Sequence, residues 1–365
     1  MLHPIRAAVL NPDWGPRVVP PPYDALAPEQ RDEHLDSHPD SFLHVARSAG
    51  LGQGHPTEHQ RLAEEGDASL QRLLSAGAYS PREESRLYVQ RIVAPEGVQW
   101  AVLGCLRNGE VTLRPHEEVH PGRVRALAAH FRLVGAMSSP VLITSRPGTA
   151  DPGLIDRVKL QAPLRDLMTS DGTQVSLWGV DLPWVDLDGP LYVVDGHHRV
   201  AAAEQARFNQ LFVAYVAPED LQVASFDRVI DELALMPRRI AELLSPFGET
   251  RLFDAAGLPE PEPGLIVLKL GDQGVTVRRR SSGTLDSVFV HEVVLPEAFG
   301  IEGFSDPRLS YRPSQAGPAK EPVVISTAPV RLEQVLDVAD AGGVMPPKST
   351  CFLPKARSGV LLVPC

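Results

Sequence analysis

Apolar and polar residues fall into blocks along the chain, and the clearest block predicts a buried strand, a tight turn and a helix. Residues 191–194 are four consecutive apolar residues, which is typical of a buried strand, and residues 200–207 favour a helix. The intervening turn contains one glycine and four polar residues. Since the first N–H groups of a helix lack intrahelical partners and lie at the positive end of its dipole, this turn predicts an anion site.

The polar residues of that turn are the first candidates for chemistry. Asp195 ends the predicted strand and is expected to face the helix start, where it would hold a metal ion or orient a hydroxyl. His197, His198 and Arg199 add side-chain donors for an anion. A bare Asp-Gly turn is better explained as a helix cap with solvated histidines beside it. The full sequence Asp-Gly-His-His-Arg favours phosphate binding.

The remaining blocks predict a mixture of helices and strands, and we therefore expect an α+β (mixed α/β) protein. The predicted helices are residues 27–36, 57–76, 123–132, 153–167 and 231–244. The predicted strands are an apolar strand after the turn at 38–41, and residues 86–93, 98–107, 139–144, 174–180, 211–216, 265–277 and 359–363. His291 and Glu292 lie on a strand-like run and are expected to be structural.

A second polar block, Pro115-His116-Glu117-Glu118, lies between a predicted strand and a predicted helix. At such a transition a carboxylate can reach a pocket, and a general base must lie within hydrogen-bonding distance of the proton that it removes. Glu117 is therefore a candidate base. Taken alone, this sequence is more typical of a solvated loop. Its combination with the Asp-Gly-His-His-Arg turn is what favours Glu117 as a base.

The third block is near the end of the chain, where Gly-Gly and Pro-Pro pairs predict a rigid loop over residues 342–350. Lys348, Ser349 and Thr350 supply one cation and two hydroxyls, a set that suits a carboxylate or a phosphate. The alternative is a solvated lysine in a terminal loop.

Composition narrows the function classes. The 365 residues suggest two or three domains, and a net charge of −11 argues against broad binding to nucleic acids or anionic membranes. The three cysteines show no zinc-site spacing and fit a reducing cytoplasm. Apolar runs of membrane length and an N-terminal signal core are both missing from the sequence. We therefore expect a cytoplasmic protein that binds small molecules.

Together these blocks resemble the core of the free L-serine kinases, which share a fold with ParB-type proteins and sulfiredoxins. The resemblance covers roughly residues 111–218 and the tail, where Pro-Lys-Ser-Thr is similar to the kinases' Pro-Lys-Thr-Thr loop. With Pro22-Tyr23-Asp24 included, nearly the whole chain is also similar to a large bacterial family of unknown function in the same superfamily. The reactive cysteine of the sulfiredoxins is replaced by His197, which argues against their chemistry.

The resemblance implies a role for each candidate residue. Glu117 and Asp195 match catalytic residues, with Glu117 taking the proton of the serine hydroxyl. Residues 196–199 match the loop that holds the donor phosphates. The residues expected to contact the amino-acid substrate are His116, Lys348, Ser349 and Thr350. Mg²⁺ bound to phosphate oxygens, with Asp195 as a further candidate ligand, would offset the negative charge.

The resulting prediction is a ParB/sulfiredoxin-like core at residues 111–221, with an insertion at 146–190. An α+β region at 1–110 precedes it, and one at 222–365 follows, whose tail loop returns to the site. The predicted function is transfer of phosphate from ATP or ADP to free L-serine or a related hydroxy amino acid. The alternatives are a nucleotide-binding regulatory protein of the ParB type without turnover, and a scaffold protein that has lost nucleotide binding.

Overall fold

The computed structural model describes residues 1–23, 26, 28–47, 56–81, 84–147, 153–187, 189–280, 283–304, 306–314 and 322–365. The chain divides into two compact units. The first unit is Met1–Leu221 with Leu353–Cys365, and the second unit is Gln222–Phe352. Both units combine helices with β-sheet, so the fold class is α+β, as predicted.

The helices begin and end as follows: α1 (Gly15–Val18), α2 (Pro28–Ser37), α3 (Leu43–Ala46), α4 (Pro56–Ser75), α5 (Pro121–Val134), α6 (Gly153–Lys159), α7 (His197–Ala206), α8 (Pro237–Leu244), α9 (Asp286–Phe289), α10 (Leu295–Phe299) and α11 (Leu332–Asp340). A π-helical turn, Val290–Val294, joins α9 to α10.

The strands are β1 (Ala8–Val9), β2 (Leu87–Ala94), β3 (Gly97–Arg107), β4 (Leu113–Arg114), β5 (Ala136–Met137), β6 (Val141–Thr144), β7 (Arg165–Met168), β8 (Gln174–Val180), β9 (Leu191–Asp195), β10 (Gln210–Tyr215), β11 (Gln222–Ala224), β12 (Phe226–Ile230), β13 (Gly248–Asp254), β14 (Leu265–Leu270), β15 (Gln273–Arg279), β16 (Leu309–Pro313), β17 (Val323–Ser326), β18 (Cys351–Leu353) and β19 (Leu361–Pro364).

The first unit is built on an eight-stranded sheet with the order β4-β9-β6-β10-β3-β2-β8-β7. The predicted strands 86–93 and 98–107 form the β2–β3 hairpin, which lies in the same sheet as β9. Strands β7 and β8, which come from the segment 146–190, extend the sheet at its edge. Residues on both sides of position 110, and the segment 146–190 itself, therefore contribute to one sheet. A second sheet of this unit has the order β1-β19-β5.

Strand β9 occupies an inner position because its side chains are apolar. Leu191 and Val193 on one face, and Tyr192 and Val194 on the other, are almost fully buried, as expected for a strand covered on both faces. Strand β9 pairs in parallel with β4 and antiparallel with β6. The β6–β9 pairing changes register, with Ile143 opposite Val193 and Leu142 opposite Asp195. Such an irregularity re-aims side chains at the strand end.

Two helices of the first unit follow the two polar blocks singled out in the sequence. Helix α5 begins just after the loop that contains Glu117, and α7 begins just after Asp195 and Gly196. The two helices pack against each other. Their N-terminal loops are therefore brought together by the fold, although they are far apart in sequence.

The second unit contains a six-stranded antiparallel sheet with the order β13-β15-β14-β17-β12-β16. Its hydrophobic cluster combines one face of this sheet with α8 and with the helical run from α9 to α10. Ile230, Leu268 and Ile325 represent the sheet in this cluster, and Val290 and Val294 represent the helical run.

Several predicted elements differ from the structure. The strand expected after residues 38–41 is the short helix α3, because a short apolar run does not by itself distinguish helix from strand. The helix expected over 153–167 ends at Lys159, and β7 follows, since Pro163 cannot continue a helix. The helix expected from residue 231 begins at Pro237, which takes the favoured first helical position.

The run around His291 is also different, because it is helical rather than extended. Its β-branched residues favour a strand by propensity, but the spacing of Val290 and Val294 buries both against the core of the second unit. Tertiary packing therefore overrides the local preference.

No helix in the described part of the chain has both the length and the apolar composition needed to span a bilayer.

Strand β9 supplies the first stability prediction. Leu191→Ala is expected to reduce the free energy of unfolding by about 2–5 kcal/mol, because Leu191 is fully buried and its truncation leaves a cavity. Leu160, with a relative exposure of 91%, provides the matched control, and Leu160→Ala is expected to change stability by less than about 0.5 kcal/mol. Chemical denaturation measures both values, and equal losses would contradict the buried position of β9.

Candidate functional site

The candidate site begins where β9 passes into α7. Strand β9 ends at Asp195, Gly196 follows with a φ of +98°, and α7 begins at His197. Glycine is favoured at this φ because side chains strain the left-handed region. A Cβ at position 196 would also lie 2.8–2.9 Å from three atoms of the Arg199 guanidinium. Gly196 therefore permits both the turn and the close approach of Arg199.

Asp195 lies between two cations. Lys355 Nζ is 3.0 Å from Asp195 Oδ1, and Arg199 Nη2 donates to Asp195 Oδ2. The three side chains are largely buried, with relative exposures of 30% for Asp195, 17% for Arg199 and 12% for Lys355. Burial acts to raise the pKa of Asp195, but Lys355 and Arg199 outweigh it and hold this pKa well below its usual range. The trio therefore contains one anion and two cations, a net charge of +1.

Arg199 also connects the helix to the neighbouring strand. Its Nη1 donates to Ser139 Oγ at 2.6 Å and to the Pro140 carbonyl oxygen, just before β6. Both terminal nitrogens of the guanidinium thus donate to protein acceptors. Arg199, which the sequence predicts as a phosphate ligand, therefore also connects the start of β6 to the end of β9.

His197 and His198 hold the loop that contains Glu117. The backbone N–H of His116 donates to His197 Nε2 at 3.4 Å, and that of His120 donates to His198 Nε2 at 2.9 Å. A ring nitrogen that accepts a hydrogen bond is unprotonated, so these contacts require neutral rings with the proton on Nδ1. The histidine pair therefore fixes the segment 116–120 at the start of α7.

The side chain of His116 connects the same loop to β9. Its side chain is buried, and its Nδ1–H donates to the carbonyl oxygen of Val193 in β9 at 2.8 Å. Its ring meets that of His197 edge to face, with 4.5 Å between the centroids. Burial lowers the pKa of His116 to about 4 and that of His197 to about 3, so both rings are neutral at pH 7.

Glu117 lies between these two anchored positions. It is partly buried, follows β4 and precedes α5, and its neighbour Glu118 is exposed. The two backbone contacts to the histidines flank it on either side. The structure thus brings the candidate base and the Asp-Gly-His-His-Arg turn into one place, which is the arrangement that a base and an anion-binding turn need to share a substrate.

Lys355 is the site residue that the sequence analysis missed. It contacts Asp195 across 160 positions of sequence, from a stretch with no periodic pattern or motif of its own. A lysine after the apolar residues of β18 and a proline is a weak signal in an acidic chain. Only the fold of the tail back onto the first unit reveals the contact.

The predicted substrate loop belongs to the second unit. Lys348 has a φ of +61°, and its Nζ lies 4.6 Å from the centroid of the Phe226 ring. Ser349 Oγ donates to the Pro346 carbonyl oxygen at 2.7 Å, and both Ser349 and Thr350 are buried. The role of these residues in substrate binding stays a prediction. Asp24, part of the Pro-Tyr-Asp motif, lies outside the described residues.

The donor set does not fit a magnesium ion held by the protein. Across the residues that the structure describes, no three His, Cys, Asp or Glu side chains form a cluster that could hold a metal ion. Each carboxylate oxygen of Asp195 already contacts a cation. Coordination of Mg²⁺ by nucleotide phosphates stays a prediction, and no role for Asp195 as a metal ligand is supported.

The ion trio gives the second stability prediction. Asp195→Asn is expected to cost roughly 2–4 kcal/mol of unfolding free energy, because it leaves two largely buried cations without their anion. Asp156 is the matched control, since its contact with Lys159 is also 3.0 Å long but its side chain is 72% exposed. Asp156→Asn is expected to cost less than about 1 kcal/mol in the same denaturation experiment.

Acidification separates these variants further. The lowered pKa of folded Asp195 means that the unfolded chain takes up the proton first, so this stabilisation is complete above about pH 4 and is lost as pH falls. Asp195→Asn should therefore lose less stability than the wild type below pH 4. An identical pH dependence of the two proteins would contradict the ion trio.

Several proteins of known structure are similar to this chain at low sequence identity. SbnI with C-terminal truncation from Staphylococcus aureus is 15% identical, with a TM-score of 0.45, and the match covers 72% of this chain and 87% of that chain. A free serine kinase variant in complex with AMP is 14% identical, with a TM-score of 0.40 and coverage of 71% and 91%. A conserved hypothetical protein from Pyrococcus furiosus is 15% identical, with a TM-score of 0.37 and coverage of 70% and 93%.

All three TM-scores are below 0.5, so these likenesses establish neither a shared fold nor a shared activity. No curated protein matches the chain significantly. The family comparison is different, because the model of the DUF1015 family, described as a protein of unknown function, matches residues 2–289 and thus most of the chain. The large family of unknown function predicted from the sequence motifs is therefore confirmed: the chain belongs to the DUF1015 family.

Proposed function

We propose that the site at the β9–α7 junction transfers a phosphoryl group from ATP or ADP to the hydroxyl of free L-serine or a related small amino acid. The observation that carries the proposal is the pair of backbone-to-imidazole hydrogen bonds that join the Glu117 loop to the Gly-His-His turn. These contacts hold a carboxylate base beside an anion-binding turn. Phosphoryl transfer requires mainly positioning and charge stabilisation, and both are available here.

The donor phosphates are assigned to the turn and to the first turn of α7. Helix α7 has ten residues, so its N-terminus offers backbone N–H groups and a positive dipole end. The trio of Asp195, Arg199 and Lys355 adds a net positive charge beside the same turn. In this proposal Asp195 is a positioning residue, which keeps the two cations oriented, and Gly196 permits the close approach of Arg199 to the turn.

The acceptor hydroxyl is assigned to the side of Glu117. The carboxylate takes the hydroxyl proton while the hydroxyl oxygen bonds to the terminal phosphorus. The bond from that phosphorus to the bridging oxygen breaks, and the electron pair leaves with ADP or AMP. Serine is proposed as the acceptor because of the motif resemblance to the free serine kinases. The same resemblance implies that Lys348, Ser349 and Thr350 of this chain contact the amino acid.

The neutral histidines have a supporting role in this proposal. Because the Nε2 atoms of His197 and His198 accept backbone hydrogen bonds, these rings contribute orientation of the Glu117 loop rather than positive charge. Mg²⁺ would be bound by the nucleotide phosphates and would offset their charge. The positive charge supplied by the chain itself comes from Arg199 and Lys355.

Transfer is tested by ³¹P NMR of the protein with Mg²⁺, ATP or ADP, and a panel of free hydroxy amino acids. A new phosphomonoester signal is expected with L-serine or a close relative. Glu117→Gln should lower the transfer rate by at least about 100-fold, because loss of a general base typically has an effect of this size. The control is the exposed neighbour Glu118. Glu118→Gln removes the same charge one position away and should leave the transfer rate unchanged.

The other possible results would each support a different hypothesis. A Glu117→Gln variant with wild-type turnover would remove Glu117 from the mechanism. Nucleotide binding without any phosphomonoester across the panel, measured by calorimetry and combined with retention on DNA, would instead favour a nucleotide-responsive regulatory protein of the ParB type. Absence of both nucleotide binding and product would favour a scaffold protein.

A further inference from the structure

The second unit contains an arginine that is fully buried on the apolar face of its sheet. Arg228 lies on β12, directly after Asp227, and has a relative exposure of 0%. Asp227 contacts Ser326 and Arg312, whereas Arg228 is paired across strands with Tyr311. Because successive side chains of a strand point to opposite faces, Arg228 shares the face of the hydrophobic cluster that contains Ile230.

Among the residues that the structure describes, the guanidinium of Arg228 has only carbonyl acceptors. Nη1 donates to the carbonyl oxygen of Phe226 at 2.7 Å, and Nη2 is 3.5 Å from that of Lys348. Its Nε is buried and without a hydrogen-bond partner. No carboxylate among the described residues forms an ion pair with it. Burial of a cation without a direct ion pair is costly, and the Asp227 carboxylate acts to raise the pKa of Arg228 without forming an ion pair with it, so the guanidinium is suited to a further anionic partner.

Two further side chains lie near Arg228, and each has a buried polar atom with no hydrogen-bond partner in the described part of the chain. The Tyr311 ring centroid is 6.0 Å from Arg228 Cζ, and the Tyr311 hydroxyl is buried without a partner. His291 stacks near Tyr311, with 6.2 Å between the ring centroids, and its Nε2 is likewise buried and unpartnered. The guanidinium Nε–H, the phenolic O–H and one tautomer of the imidazole Nε2–H are all donors.

The charges at this cluster agree with an anion as the missing partner. Burial, followed by the charge of Arg228, lowers the pKa of His291 to about 3, and burial raises that of Tyr311 to about 12. Burial lowers the pKa of Arg228 to about 10, so it stays protonated at pH 7 while the other two groups stay neutral. The cluster therefore combines one positive charge with two neutral donors.

The backbone of His291 is also unusual. His291 is in the π-helical turn Val290–Val294, which interrupts the run from α9 to α10. Such turns are rare and occur frequently at functional sites, where they displace side chains from their regular helical positions. His291 and Tyr311 are only partly buried as whole residues, whereas His291 Nε2 and the Tyr311 hydroxyl are buried.

We propose that Arg228, His291 and Tyr311 form a binding site for a small anion, a carboxylate or a phosphate, within the second unit. Arg228 supplies the charge and the Nε–H donor, and Tyr311 and His291 supply the two neutral donors. This site does not depend on the proposed transfer reaction, because all of its residues belong to a different unit from the β9–α7 junction.

The test follows the imidazole ¹⁵N resonances of His291 in the full-length protein during titrations with inorganic phosphate and, separately, with acetate. The resonances are assigned by comparison with His291→Gln. A saturable shift with either anion is expected, and the anion with the lower Kd identifies the chemical class. Arg228→Met and Tyr311→Phe should each weaken binding by about tenfold or more, since each removes a donor to a charged group.

The control is Arg251→Met, which removes an exposed arginine of the same sheet and should leave the titration unchanged. Thermal unfolding without added anion gives a second readout, in which Arg228→Met should have a Tm equal to or above that of the wild type. Absence of any His291 shift with both anions would overturn the proposal. So would a lowered Tm of Arg228→Met combined with unaltered anion binding, because Arg228 would then be a purely structural residue.

Discussion

The ionised carboxylate of Asp195 is the group on which the candidate site depends. It ends a buried strand, and its two oxygens contact Lys355 from the tail and Arg199 from the first turn of α7. Without this anion, two largely buried cations would repel each other at the start of a helix that already has a positive end. Asp195 thus connects the end of β9 and the first turn of α7 to the distant tail.

The same junction shows why two of its histidines are not charged. Their Nε2 atoms accept backbone hydrogen bonds from the 116–120 segment, and burial lowers the pKa of His197 well below neutrality. Additional positive charge beside Arg199 and Lys355 would oppose folding. Neutral rings instead accept hydrogen bonds from the backbone N–H groups of His116 and His120. Charge and orientation are therefore provided by different residues of one short motif.

Much of this arrangement could be predicted from sequence because its signals are local. The apolar run 191–194, the glycine after Asp195 and the alanine-rich segment that follows it specify a strand, a turn and a helix, all of which the structure contains. The contact of Lys355 with Asp195 could not be predicted, since it spans 160 residues and no periodicity marks it. The acceptor role of the histidines depends on the tertiary position of another loop. The prediction of a strand through His291 was wrong, because packing of Val290 and Val294 outweighs β propensity.

The central claim is that the β9–α7 junction binds nucleotide phosphates, and amide chemical-shift mapping with ADP tests it most directly. In ¹H–¹⁵N spectra of the labelled protein, titration with ADP and Mg²⁺ should produce its largest shifts at the amides of residues 196–199 and 116–120. These amides are at the helix start and in the loop tied to it. Saturable shifts that cluster elsewhere, with these amides unchanged, would contradict the account.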